Sequence, residues 1–94
     1  MTGGAVSFKA KLNNRLGLHA RPASLLVETT KRFRSRILVK KGEKVVDGKS
    51  IVSVLTLGAE YGDEIEITCE GEDAEEAAEA LKELIERLPE LEAE

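Results

Sequence analysis

The sequence has little of what most protein chemistry uses: one cysteine, one histidine, three aromatic side chains and no tryptophan in 94 residues. Cys69 has no partner within the chain for a disulfide, so packing must hold the fold together, which suits a reducing cytosol. No secretory h-region opens the chain, and no apolar run approaches the roughly 20 residues needed to span a bilayer. A cytoplasmic protein without membrane insertion is therefore expected. His19 has no second histidine, no Cys-His pair and no nearby Ser-His-Asp set, so metal binding and triad hydrolysis lack their parts and no cofactor is implied. No repeat, low-complexity linker or composition break marks a boundary, and the length suits one core. The expectation is a single domain over residues 1–94, monomeric by default.

Charge is plentiful and unevenly placed. Through Ser50, twelve Lys and Arg stand against three acids; beyond it, two stand against fifteen, and the net is -4. A basic half invites a nucleic-acid reading, but the scarcity of aromatics and the lack of glycine-rich or Arg-rich repeats argue against one. A basic surface that steers the chain toward acidic protein partners or phosphorylated groups fits better.

The hydrophobic pattern changes period along the chain. Phe8, Ala10 and Leu12 alternate with Ser7, Lys9 and Lys11, a strand with one buried face, preceded by a loose Met1 to Ala5. From Ala20 to about Lys31 the spacing suits a helix, with Pro22 tolerated in its first turn. Ile37 and Val39 alternate with Arg36, Leu38 and Lys40, and after Gly42 the run Lys44 to Val46 reads as the returning strand of a hairpin, Leu38 being irregular on the polar side. Ser50 is suited to cap a brief helix that reaches Leu57 and ends at Gly58. Glu64 to Glu70 turns Ile65, Ile67 and Cys69 inward against polar residues outward. In the last helix Ala74, Ala77, Ala78, Leu81, Leu84, Ile85 and Leu88 recur at three- and four-residue steps, with Asp73 and Glu76 as a capping box and Pro89 as its stop. The acidic stretch Glu90 to Glu94 reads as a solvated end. The order βαββαβα, four strands each with one apolar face, needs a cover on that face. Three helices there give an α+β open-faced sandwich, with a four-stranded antiparallel sheet covered on one side.

His19 lies in Gly17-Leu18-His19-Ala20-Arg21-Pro22-Ala23, at a loop-to-helix junction where backbone N–H groups lack partners. The positive end of the helix dipole disfavours imidazolium and welcomes a negative phosphoryl group, and both effects favour a nucleophilic ring. Arg21 is placed to clamp phosphate oxygens, and Ala20 and Ala23 are small enough to leave a partner room. Cys69 points into the sheet by its alternation.

The stretch Gly17 to Ala23 resembles the active-site motif of the HPr family, the histidine-containing phosphocarriers of the phosphoenolpyruvate-dependent phosphotransferase system. A second stretch, Gly48-Lys49-Ser50-Ile51-Val52-Ser53-Val54-Leu55-Thr56-Leu57-Gly58, resembles that family's regulatory serine region. The resemblance implies that His19 accepts a phosphoryl group from enzyme I and passes it to IIA proteins of sugar permeases, with Arg21 stabilising it. It implies that Ser50 is a target of HPr kinase/phosphorylase whose phosphorylation weakens enzyme I docking and recruits a transcription regulator. It also puts Ile51, Val52 and Leu55 on a partner-docking face, leaving Val54 and Leu57 for the core; Ala20, small enough to leave a partner room, and Lys49, either an attraction for partners or a free solvated charge, are further candidates for partner contact. Two alternatives stay open: a carrier of the nitrogen-related branch, which Asn14-Arg15-Leu16-Gly17 resembles, and a purely regulatory module signalling through Ser50. A small hydrolase is disfavoured, since no second acid–base group stands near the nucleophile in sequence.

Overall fold

The most sharply alternating segment, Glu64–Glu70, is strand β4, an inner strand of the sheet. In the computed structural model, which describes residues 4–92, it pairs antiparallel with β1 (Ala5–Lys11) on one side and β2 (Arg36–Lys41) on the other. Strand β3 (Lys44–Asp47) extends β2 antiparallel, so the order is β1-β4-β2-β3. Three helices complete the expected βαββαβα arrangement: α1 (Ala20–Thr30), α2 (Ile51–Thr56) and α3 (Ala74–Glu92).

Register follows from which face is apolar, because slipping by one residue would turn every side chain to the other side. Ile67 stands opposite Phe8 and Val39, and Cys69 opposite Val6 and Ile37, so one face is continuous hydrocarbon. Ala23, Leu26 and Val27 of α1, Val54 of α2, and Ala74, Ala77, Ala78, Leu81 and Ile85 of α3 bury against it. Fully burying one Leu or Ile side chain contributes about 1.5–3 kcal/mol, so Leu81 and Ile67, both without exposure, are positions where truncation breaks the fold. On the open face Lys9 and Lys40 flank Glu66, and Ser7 and Thr68 hydroxyls lie 2.8 Å apart. Leu38 sits half-buried on that polar face beside Thr68, as its irregular place in the pattern implied.

Three local expectations are corrected. Ala5 already belongs to β1, paired with Glu70, so only residues 1–3 of the loose start lie outside the described residues. The Asp73–Glu76 capping box does not close. Asp73 instead accepts from the backbone N–H groups of Arg34 (2.8 Å) and Ser35 (2.9 Å) and from the Ser35 hydroxyl, tying the start of α3 to the chain entering β2. Those bonds, the Ser35 hydroxyl foremost, hold the Asp73 carboxyl below its ordinary value. Finally, Pro89 does not stop α3, which runs on to Glu92. Leu88 is buried immediately before it, and Glu92 bonds to the loop after β1, so tertiary contacts on both sides of the proline carry the helix one turn further.

Candidate functional site

The loop between β1 and α1 is shaped by its contacts with the turn before β4. Leu12 N–H donates to Asp63 O (2.9 Å), Gly62 N–H to Leu12 O (2.7 Å), and Leu18 N–H to Ala59 O (2.9 Å). Gly17 makes the close approach possible: its φ is +58°, and a Cβ there would lie 2.5 Å from Ala59 O and 2.6 Å from Glu60 Cα. Only glycine tolerates both the left-handed backbone and the missing space. Leu18 is then buried as the loop's anchor, and the next residue, His19, emerges into solvent.

His19 is the N-cap of α1, in an extended conformation with φ -78° and ψ -169°, and its side chain caps nothing. Its carbonyl accepts from Ala23 N–H at 2.8 Å, the first helical bond. Pro22 has no N–H, and the amides of Ala20 and Arg21 have no hydrogen-bond partner among the described residues. Two N–H groups at the positive end of the helix dipole therefore stand free beside an exposed imidazole. Ala20 and Arg21 are exposed, and the first turn of α1 carries no acid to compete for an incoming anion.

The stretch from Gly48, which holds Ser50, starts at the other end of α1. Thr30, at the end of α1, donates its hydroxyl to Gly48 O at 2.7 Å, just before α2, while Ala59, just after α2, accepts from Leu18 before α1. Helices α1 and α2 therefore run antiparallel. Ser50 lies about the length of α1 from His19, roughly 16 Å for eleven residues. Ser50 caps α2, its hydroxyl oxygen accepting from Ser53 N–H at 3.2 Å. At the far end the ammoniums of Lys44 and Lys41 donate to Thr56 O (2.6 Å) and Gly58 O (3.0 Å), and Lys41 also pairs with Asp63.

Helix α2 divides its side chains cleanly. Val54 and, just beyond its last residue, Leu57 are buried, whereas Ile51, Val52 and Leu55 face solvent, Val52 with 69% and Leu55 with 42% of its surface open. Lys49 is not a free charge: its ammonium donates to Phe33 O at 2.7 Å, past the end of α1. Cys69 is buried in the sheet, and burial foremost, with the Asp73 charge behind it, pushes its thiol up, the opposite of an activated nucleophile.

Two residues at this site escaped sequence reasoning. Asn14, 1% exposed, donates its amide to Gly17 O (2.8 Å) and to the Glu92 carboxylate, and Glu92 also accepts from Leu16 N–H at 3.3 Å. Part of the acidic stretch read as a solvated end is thus folded against the histidine loop. The run Asn13-Asn14 before the motif was the visible signal, since a turn-forming amide side chain belongs there. Its partner, 78 residues away, had none.

Comparison with known proteins agrees with this geometry. The family described as "PTS HPr component phosphorylation site" matches residues 6–87. The phosphocarrier protein HPr of Mycoplasma capricolum subsp. capricolum is 40% identical over 75 residues, covering 80% of this chain and 84% of that one. The HPr-like protein Crh of Bacillus subtilis is 38% identical over 76 residues, covering 81% and 89%. A crystal structure of HPr from Thermoanaerobacter tengcongensis superposes with a TM-score of 0.87 at 42% identity, covering 89% of this chain and 94% of that one. With that match over most of its length, and with the antiparallel sheet and three helices of its solved relatives, the chain belongs to the HPr family of phosphotransferase-system phosphoryl carriers.

Proposed function

We propose that His19 is the residue of this carrier that holds the phosphoryl group, taking it from enzyme I and giving it to IIA proteins. The observation that carries the reading is an exposed imidazole at an N-cap with two unpaired amides beside it. A lone pair on the ring attacks phosphorus; the new P–N bond forms as the bond to the donor breaks, and the donor leaves with its electron pair. The other ring nitrogen keeps its proton. Nδ1 is as many bonds from the backbone as the side-chain oxygen of Asn, a preferred N-cap, so a phosphoryl group on Nδ1 reaches the Ala20 and Arg21 amides. Hydrogen bonds to a charged group contribute about 1.5–3 kcal/mol each, and Arg21 adds a mobile cation that follows the group in either direction of transfer. Stabilisation of this size retains the group without trapping it. Mapping the phosphorylated chain by mass spectrometry, with 15N NMR of the ring, tests this: modification on any other residue rejects the assignment.

A second role, phosphorylation of Ser50 by an HPr kinase/phosphorylase with recruitment of a transcription regulator, is favoured by one observation. Ser50 caps α2 immediately before its exposed apolar face, so a phosphate added there enters the docking surface while the helix N-terminus still accommodates it. Ile51, Val52 and Leu55 form the docking face in this reading, with Ala20 beside the ring. Lys49, held by Phe33 O, orders the start of α2 and is a weaker candidate for partner contact. Incubation with ATP and such a kinase labels the chain, and Ser50→Ala removes the label; label retained by that variant rejects Ser50 as the site.

A further inference from the structure

We propose that Glu92 is a positioning residue for phosphoryl transfer, a reading that rests on His19 as the carrier. The loop before His19 is a chain of turns in which each bond sets the next. Gly17 N–H donates to Asn14 O at 3.1 Å, Asn14 returns a side-chain bond to Gly17 O at 2.8 Å, and His19 N–H donates to Leu16 O at 3.3 Å. The backbone of His19 is therefore oriented by the peptide of Leu16. Glu92 holds that turn from outside: its Oε2 accepts from both the Asn14 amide and Leu16 N–H.

Two further observations separate this from an ordinary helix end. First, the bond exists only because α3 continues past Pro89, and Pro89 and Glu92 line the same open groove with Asn13, Arg15 and Leu16. Second, Asn14 has a buried side-chain oxygen with no partner among the described residues, while its amide serves Gly17 and Glu92. An unpaired buried acceptor is unfavourable and rare in native structures, so something must hold Asn14 in this orientation. Flipping the amide would face its oxygen to a carbonyl and a carboxylate, so Glu92 fixes which way Asn14 points. Glu92 bonds the loop that carries His19 and lies outside the α2 face, so its effect is expected on the alignment of the imidazole, in kcat, ahead of partner affinity, in KM.

The test is steady-state phosphoryl transfer from phosphoenolpyruvate through enzyme I to a IIA protein, with kcat and KM resolved for this chain. Glu92→Ala lowers kcat about fivefold with KM within twofold of wild type, shifts the amide resonances of Leu16 and His19, and melts within a few degrees of wild type. Glu92→Gln restores kcat, because one carbonyl oxygen in the Oε2 position still accepts both bonds. Wild-type kcat in Glu92→Ala overturns the inference while leaving the relay intact, as does a loss that Glu92→Gln shares fully or that appears only in KM. If wild type is never labelled on His19, the carrier reading itself fails, so the two failures are distinguishable.

Discussion

Placing a charge at Ser50 separates docking from chemistry, because the antiparallel run of α1 and α2 sets the two sites about 16 Å apart. Across that distance a single negative charge and a phosphoryl dianion repel by about 0.5 kcal/mol in unscreened water. At physiological ionic strength the Debye length is about 8 Å, and roughly two such lengths reduce the interaction below about 0.1 kcal/mol. Ser50→Asp should therefore change the hydrolysis rate of phosphorylated His19 by less than about 20%. The same charge borders Ile51 and the exposed Val52; if, as proposed, enzyme I docks there it must desolvate that charge, and about 1.4 kcal/mol raises its KM tenfold. Aspartate is itself a good N-cap, so α2 and the melting temperature should be preserved. The assay is paired: decay of isolated phosphoprotein, and enzyme I kinetics at varied concentrations of this chain. Faster hydrolysis with unchanged KM would refute the antiparallel placement of the two sites and the separation built on it.

Val52→Glu should weaken enzyme I binding at least tenfold with little change in melting, since 69% exposure leaves about 1.4 kcal/mol of the roughly 2 kcal/mol available from full burial; calorimetry checks it, and global unfolding would contradict the exposed placement. Gly17→Ala combines a left-handed φ with a backbone clash at 2.5 Å and should cost about 3 kcal/mol, lowering the melting temperature by more than 10 °C. Acid unfolding should steepen below the ordinary aspartate range, because the Asp73 and Asp63 carboxyls are both held below their ordinary value, by the Ser35 hydroxyl and by the Glu60 amide foremost. Such groups add stability above the unfolded value that is lost as pH falls through the folded one, so Asp73→Asn should flatten the acid limb and be less stable at pH 7. A pH profile of melting unchanged by that substitution would reject the argument.

Legibility in the sequence tracks how local the determining physics is. The alternation of Ile65, Ile67 and Cys69 and the helical spacing from Ala74 to Leu88 were readable because solvent on one side imposes a period, and the sheet and its cover followed. His19 at a helix start was readable for the same reason: Gly17 and Pro22 punctuate the chain on either side of it. What escaped depends on contacts between distant segments. Asp73 looked like a local cap and serves the Arg34–Ser35 backbone instead; Lys49 looked free and binds Phe33 O; Pro89 looked like a stop, yet Leu88 and Glu92 hold the helix through it. Each is a case of tertiary bonding overriding local preference, and Glu92 against Asn14 is the one that reaches the site.

The most direct test is stoichiometric labelling of the purified chain with phosphoenolpyruvate and catalytic enzyme I. Wild type should take up one acid-labile phosphoryl group per molecule and surrender it to a IIA protein, while folded His19→Ala takes up none. Label on the His19→Ala variant, or a wild-type chain that stays unlabelled beside a relative that does not, would contradict the account.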